Sequence, residues 1–199
     1  MQHCCINNTR MKSLKLTLFS LLWVTLFTAC KKDKDEAPVL PNEEELITTL
    51  IYTLTPVGGG TPVVFSFQDE DGDGGNPPIL IEGILSANTD YTGALTLLNE
   101  SEDPADNITL EVQEEGADHQ LFYQIESPLD LDISYADTDA NGKPIGLNTL
   151  VSTGAASSGN LTITLRHEPA KNAPGVSGGD ITNAGGETDI EVTFIIEIE

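Results

Sequence analysis

The sequence predicts an all-β domain, an antiparallel immunoglobulin-like β-sandwich with one short helix. Apolar and polar residues alternate along most of the chain after residue 45, which is the pattern of half-buried strands. Clusters rich in glycine, asparagine and serine interrupt this alternation at short intervals, as turns do. Strands and helices do not alternate along the chain, so a sandwich is favoured over a parallel sheet.

The last segment of the chain gives the clearest strand. In residues 190–199 five apolar side chains share one face, and the other face is mostly polar. The other predicted strands are 46–55, 63–67, 79–85, 91–98, 121–125, 129–135 and 161–165. Residues 101–116 predict the helix, because Pro104 stands early and Ile108 and Val112 are four positions apart. The same stretch also alternates, so a strand is the alternative there.

The composition is strongly acidic. The chain has 32 acidic and 9 basic residues and a net charge of -23, and three of the basic residues precede Cys30, where no acid occurs. From Cys30 onward 6 basic residues stand against 32 acidic ones, which leaves a net charge of -26. This charge repels phosphate backbones, so nucleic acid is excluded as a partner, and it attracts cations.

Residues 1–29 have the features of a signal peptide. Two lysines precede an apolar run over 16–27, which is too short for a membrane span. Met11 is the better start, because the residues before it add nothing to a signal peptide. The sequence LFTAC that ends at Cys30 resembles the lipobox of bacterial lipoproteins. The resemblance implies cleavage before Cys30 and attachment of a lipid such as palmitate to it.

The segment after Cys30 predicts the cellular location of the domain. Residues 31–36 resemble the charged signal that sends lipoproteins of the Bacteroidota to the cell surface, and the periplasmic face of the outer membrane is the alternative. Prolines and successive glutamates make 30–45 a flexible acidic tether, and the sandwich then spans 46–199. All three cysteines precede that domain, so disulfides, thiolate metal sites and cysteine nucleophiles are excluded there.

Two acidic turns match the first half of an EF-hand calcium loop, in which alternating oxygens surround the ion and a glycine permits the bend. Their candidate ligands are Asp69, Asp71 and Asp73 in the first turn and Asp137, Asp139 and Asn141 in the second. Calcium is therefore a candidate cofactor. Leu80 and Asn148 stand where an EF-hand requires glutamate, so these are not EF-hands. Ordinary hairpin-turn chemistry is the alternative.

His119 and His167 are the histidines of the predicted domain, and each has a neighbouring carboxylate in the sequence. Together they could bind zinc, iron or haem. His167 also continues the parity of the apolar face of strand 161–165, so a buried imidazole with a structural partner is the alternative.

Residues 175–179 match the G-x-S-x-G motif of serine hydrolases. That motif requires a strand before it, a helix after it and a later histidine, and no histidine follows Ser177. A glycine-rich loop is therefore favoured, and the sequence predicts a protein that is not an enzyme. A surface hydrolase that uses Ser177 or a carboxylate pair is the alternative.

Four stretches carry a resemblance to a family. They are NEEELITTL at 42–50, FQDEDGDG at 67–74, LRHEP at 165–169 and GGETDI at 185–190. Through them the chain resembles uncharacterised outer-membrane or surface lipoproteins of the Bacteroidota, which often carry the automatic name type 1 periplasmic binding fold protein. The resemblance implies an accessory of TonB-dependent uptake, with an outer-membrane receptor as partner, and it transfers no catalytic residue.

These observations predict a lipid-anchored extracytoplasmic binding or accessory protein, attached to the outer membrane and stabilised by calcium in its acidic turns. A metal-acquisition protein that uses His119 and His167 is one alternative. A surface hydrolase is the other.

Overall fold

Residues 45–71 and 75–199 are described by the structure, a computed structural model. They belong to the unit Asn42–Glu199 of the chain. The predicted signal peptide, Cys30 and the tether up to residue 44 lie outside the described residues, and so does Asp73.

The alternating segments form ten strands within the described ranges. They are β1 (Thr49–Pro56), β2 (Val63–Gln68), β3 (Ile79–Ile81), β4 (Ile84–Leu85), β5 (Asp90–Leu98), β6 (His119–Ile125), β7 (Leu131–Tyr135), β8 (Asn148–Thr153), β9 (Ser157–His167) and β10 (Glu187–Ile198). One α-helix, α1 (Ile108–Glu114), joins β5 to β6. Two single 3-10 turns, Val176–Gly178 and Ile181–Asn183, lie between β9 and β10.

The strands form two sheets that share one core. One sheet has the order β3-β2-β1-β5-β8-β7, and the other has the order β4-β10-β9-β6. The pairings are antiparallel except for that of β4 with β10, which is parallel. Across the core, the rings of Phe65 and Phe194 lie 5.8 Å apart. The predicted all-β sandwich is confirmed, and its immunoglobulin-like connectivity stays a prediction.

Alternation places the core residues as the sequence predicts. The inward face of β10 consists of five buried apolar side chains, Ile190, Val192, Phe194, Ile196 and Ile198. The inward face of β9 contributes Leu161, Ile163 and Leu165, and the same parity reaches His167 at the end of that strand. The end of β9 therefore points an imidazole into the interior.

We expect Phe194→Ala to cost about 3–5 kcal/mol of the free energy of unfolding. Phe194 is fully buried and its ring meets Phe65 of the other sheet, so the truncation leaves a cavity between the two sheets. Urea denaturation of both proteins tests the expectation, with Thr193→Ala on the outward face of β10 as the control. A loss below 1 kcal/mol would contradict this account of the core.

Two predicted elements differ from the observed ones. The helix is shorter than predicted, and its periodicity buries Ile108 and Val112 while Leu110 is exposed. The predicted strand over 79–85 divides into β3 and β4, which belong to different sheets. No helix among the described residues has the length and hydropathy to cross a bilayer.

The strand β8 was not predicted, because its pattern is unusual. Its buried face carries two threonines around Val151, whereas Leu150 on the other face is 52% exposed. Hydrogen bonds explain the buried threonines: the hydroxyl of Thr149 contacts that of Tyr52 at 2.7 Å, and that of Thr153 donates to the Ser86 carbonyl.

Candidate metal centre

The two histidines of the domain lie side by side at the end of the four-stranded sheet. His119 begins β6 and His167 ends β9, and the antiparallel register makes them direct partners. Their rings are stacked, with centroids 4.9 Å apart and planes 22° from parallel. Both side chains are buried, because each continues the inward face of its strand. The structure therefore brings together the pair that the sequence predicted as metal ligands.

A β-bulge adds a carboxylate to this pair. Along β10, Thr188 pairs with Arg166 and Ile190 pairs with Leu165, so Asp189 is an extra residue without a partner across the ladder. A bulge changes the direction of a side chain, and here the Asp189 side chain is 0% exposed and lies close to both imidazoles. Without the bulge, the alternation of β10 would place the Asp189 side chain on the outward face of the strand.

The turn before β10 supports this arrangement. Gly186 has a φ of +69°, and a Cβ placed on it would lie 2.1 Å from the carbonyl oxygen of His167. Only glycine permits this approach of the turn backbone to the end of β9.

Glu45 supplies the fourth group. It belongs to the segment that precedes β1, and the neighbouring residues hold this segment in the fold, since Ile47 is in the core and the Thr48 amide donates to the Leu98 carbonyl. The side chain of Glu45 is only 7% exposed. The last residue of the predicted tether is thus part of the domain.

The four groups converge on one point. Oε1 of Glu45 lies 2.9 Å from Nε2 of His119, which is 4.0 Å from Oδ2 of Asp189. Nδ1 of His167 lies 3.9 Å from Oε2 of Glu45 and 3.9 Å from Oδ1 of Asp189. One ligand atom from each residue lies within 4.8 Å of all the others. In a tetrahedral zinc site, bonds of about 2.0–2.1 Å place neighbouring ligand atoms about 3.3 Å apart, so these spacings suit a single ion.

The protein orients the His119 ring for this role. Nδ1 of His119 lies 3.2 Å from the carbonyl oxygen of Glu115, so Nδ1 carries the proton and Nε2 presents its lone pair to the centre. Nε2 then faces a carboxylate oxygen at 2.9 Å. The lone pair of Nε2 and the carboxylate of Glu45 are both acceptors, so they can lie this close only when a proton or a metal cation lies between them.

Both oxygens of Asp189 and Oε2 of Glu45 are buried and accept no hydrogen bond from a described residue. Buried polar atoms are nearly always paired, and a buried carboxylate without a donor is costly. A cation at the centre would satisfy these oxygens together.

Burial and charge shift the protonation of the centre. Burial raises the pKa of Asp189 to about 7, and the negative charge of Glu45 adds to the rise. Burial lowers the pKa of His119, but contact with Glu45 and attraction by Asp189 outweigh it, so the net shift is upward. Burial raises the pKa of Glu45, but contact with His119 outweighs it and the net shift is downward. The metal-free centre therefore retains protons up to neutral pH.

We expect the metal-free protein to become less stable as the pH rises from about 5 to about 8. Asp189 and His119 have folded pKa values above their unfolded ones, so the native state binds extra protons and loses their contribution as the pH passes the folded pKa. Glu45 acts in the opposite sense, but at pH values below its ordinary pKa of 4.5. Urea midpoints measured in chelator at both ends of the range test the expectation, and a higher midpoint at the alkaline end would contradict it.

The second acidic turn uses its carboxylates within the protein. Asp137 accepts the amides of Gly146 and Asn148 through its two oxygens, and Asp139 accepts the amides of Asn141 and Lys143 through Oδ1. These bonds are the turn chemistry that was the alternative to calcium.

The ammonium group of a buried lysine lies beside this turn. Nζ of the buried Lys171 lies 3.1 Å from Oδ2 of Asp139 and 2.9 Å from the carbonyl oxygen of Pro144, and it also contacts the carbonyl of Gly116. Three oxygens thus surround the ammonium group. Calcium in this turn stays a prediction.

The first acidic turn is more exposed. Oδ2 of Asp71 accepts the amide and the side-chain nitrogen of Asn76, and Asp69 and Asp71 line a groove on the surface. The hydroxyl of Ser177, the predicted alternative nucleophile, donates to the carbonyl of Lys171. Ser177 lies in a 3-10 turn, and its glycine-rich segment is a loop between strands, as the sequence predicts.

Glu45 and Asp189 are the site residues that the sequence did not identify. Glu45 ends a run of three glutamates, which predicts a solvated tether. Asp189 stands immediately before the alternating part of the last strand, and the bulge that turns it inward depends on the pairing of β10 with β9. The one available signal was the parity of His167 with the apolar face of the predicted strand 161–165.

No family model, curated protein or solved structure matches this chain. The resemblance to lipoproteins of the Bacteroidota and its link to TonB-dependent uptake therefore stay predictions.

Proposed function

We propose that the protein is a lipid-anchored extracytoplasmic protein that binds one divalent transition-metal ion and serves in metal acquisition. The observation that carries this proposal is the buried convergence of Glu45, His119, His167 and Asp189. The proposal develops the metal-acquisition alternative, adding two carboxylate ligands to its two histidines.

Charge supports a divalent ion. Two ionised carboxylates and two neutral imidazoles carry a charge of -2, so a divalent cation makes the buried centre neutral. The same ion provides a partner for the oxygens that accept no hydrogen bond from the described part of the chain. Each metal-free state instead leaves buried charges that repel each other or requires protons between them.

The ligand types favour a transition metal. Imidazole nitrogens suit zinc, copper, iron or nickel, whereas calcium prefers a shell of oxygens alone. The stacked rings and the gaps of 2.9–4.0 Å accommodate one ion, not a macrocycle, so the proposal does not include haem.

The enclosure favours holding a metal over catalysis. The four side chains are at most 7% exposed, and four protein ligands complete a tetrahedral shell. Catalytic zinc sites keep a position for water or substrate, whereas structural zinc sites are closed.

The predicted signal peptide supports the proposed location of the protein outside the cytoplasm. The apolar run and the lipobox-like sequence ending at Cys30 support lipid attachment, and the charged residues after it support surface display. Metal capture outside the cytoplasm agrees with an accessory role beside an outer-membrane receptor. We expect Cys30→Ser to abolish incorporation of labelled palmitate. Unchanged labelling would contradict lipidation at Cys30.

Metal content tests the proposed function. The full chain and the variant His119→Gln/His167→Gln are purified in parallel and analysed by mass spectrometry of their metals. The cysteines are the same in both proteins, so a difference reports on the centre. We expect about one equivalent of transition metal in the wild type and much less in the variant. Equal contents would end the proposal.

A further inference from the structure

An acidic groove lies against the buried centre. It has a volume of about 540 Å³ and opens between the first acidic turn and the start of β10. Its acidic lining residues are Asp69, Glu70, Asp71, Asp189 and Glu191. Glu70, Asp71 and Glu191 are exposed, so their charges reach the solvent at the mouth of the groove.

Two connections join the groove to the centre. Asp189 belongs to the wall of the groove and is also one of the four converging residues. Leu46, which follows the ligand Glu45 in the chain, lines the groove as well. The groove thus borders on Asp189 and on the residue that follows Glu45.

Asp189 distinguishes this groove from an ordinary acidic surface. Its side chain is 0% exposed, and neither of its oxygens accepts a hydrogen bond from the residues that the structure describes. A surface acid would bind water through its oxygens, whereas the carboxylate of Asp189 is buried although the residue lines the acidic groove.

We propose that this groove is the route by which a hydrated divalent cation reaches the buried centre. The inference rests on the proposed function and adds how the ion is captured. Clefts lined by charges of one sign concentrate counter-ions and raise association rates by about 10 to 1,000 times. Asp69, Glu70 and Asp71, the described part of the first acidic turn, then lie at the mouth of this route.

The rate of metal binding tests the route. The variant Asp69→Asn/Glu70→Gln/Glu191→Gln removes three charges from the groove and keeps the side-chain shapes. Asp71 is left intact because it holds Asn76 in the turn. Association and dissociation of Co²⁺ with the full chain are followed by stopped-flow absorbance at low ionic strength. We expect the association rate constant to fall about three- to tenfold, with an unchanged dissociation rate constant and one ion bound.

A matched control separates local from overall charge. The variant Glu111→Gln/Asp132→Asn/Glu197→Gln removes three exposed charges from outside the groove. An association rate constant equal in the two variants would overturn the route while the proposed function stands. Absence of stoichiometric Co²⁺ binding by the wild type would overturn both. A lower stoichiometry in the groove variant would also overturn the route, because the groove would then hold an ion itself.

Discussion

Replacing both histidines with glutamine should raise the dissociation constant for zinc by more than about 100-fold. Changes to groups that only orient metal ligands already cost 10–100-fold, and here two of the four ligands are lost. The rings of His119 and His167 are 4.9 Å apart and face the same two carboxylates, so each of the two substitutions should remove one nitrogen ligand from the same zinc ion. Isothermal titration of the full chain, with a competing chelator, measures this change.

The control for this variant comes from the same two strands. Gln124 and Thr162 are direct partners in the β6–β9 ladder, as the histidines are, but Gln124 is exposed and both lie on the outward face. The double change Gln124→Ala/Thr162→Ala should leave the zinc dissociation constant within about twofold of the wild type. A histidine variant that binds as tightly as this control would show that zinc binds elsewhere.

Asp189→Asn should weaken metal binding and yet stabilise the metal-free protein at about pH 8, by roughly 1–2 kcal/mol. Burial and the nearby Glu45 raise the pKa of Asp189 to about 7, so at pH 8 the wild type holds a costly buried charge. The neutral amide removes that cost and also removes a charged ligand. Below about pH 5 the wild-type carboxyl is protonated, so the stabilisation should disappear.

Urea unfolding in chelator and in excess zinc measures the two effects separately. Asp132→Asn, an exposed change on β7, is the control and should alter neither. If Asp189→Asn destabilised the metal-free protein at pH 8, the carboxylate would be part of a structural ion pair with the histidines, and its role as a metal ligand would be contradicted.

The sequence predicted the sandwich well because burial follows a period of two along a strand. The inward faces of β9 and β10 consist of the residues that alternation selects, and the parity of His167 followed from the same rule. Burial alternates in β8 as well, but residue polarity does not follow it: threonines are buried because they bond to Tyr52 and Ser86, and Leu150 is exposed.

Two of the four residues of the candidate centre could not be identified from the sequence, for a different reason. The two histidines were identified by type, but their approach depends on the register of β6 with β9. Asp189 joins them through a bulge, and Glu45 joins them because the segment before β1 folds against the domain. Neither a bulge nor such a docked segment leaves a periodic signal in one sequence.

The second acidic turn shows what residue type alone does not reveal. Asp137 and Asp139 have the spacing of calcium ligands, but backbone amides and the ammonium group of Lys171 occupy their oxygens. A lysine 32 residues away along the chain cannot be assigned to a turn before the fold is known.

Anomalous diffraction at the zinc absorption edge tests the central claim most directly. Crystals grown with one equivalent of zinc should show one strong anomalous peak between Glu45, His119, His167 and Asp189, with bonds of about 2.0–2.2 Å to two nitrogens and two oxygens. A peak at the acidic turns, or no peak among these four side chains, would contradict the account.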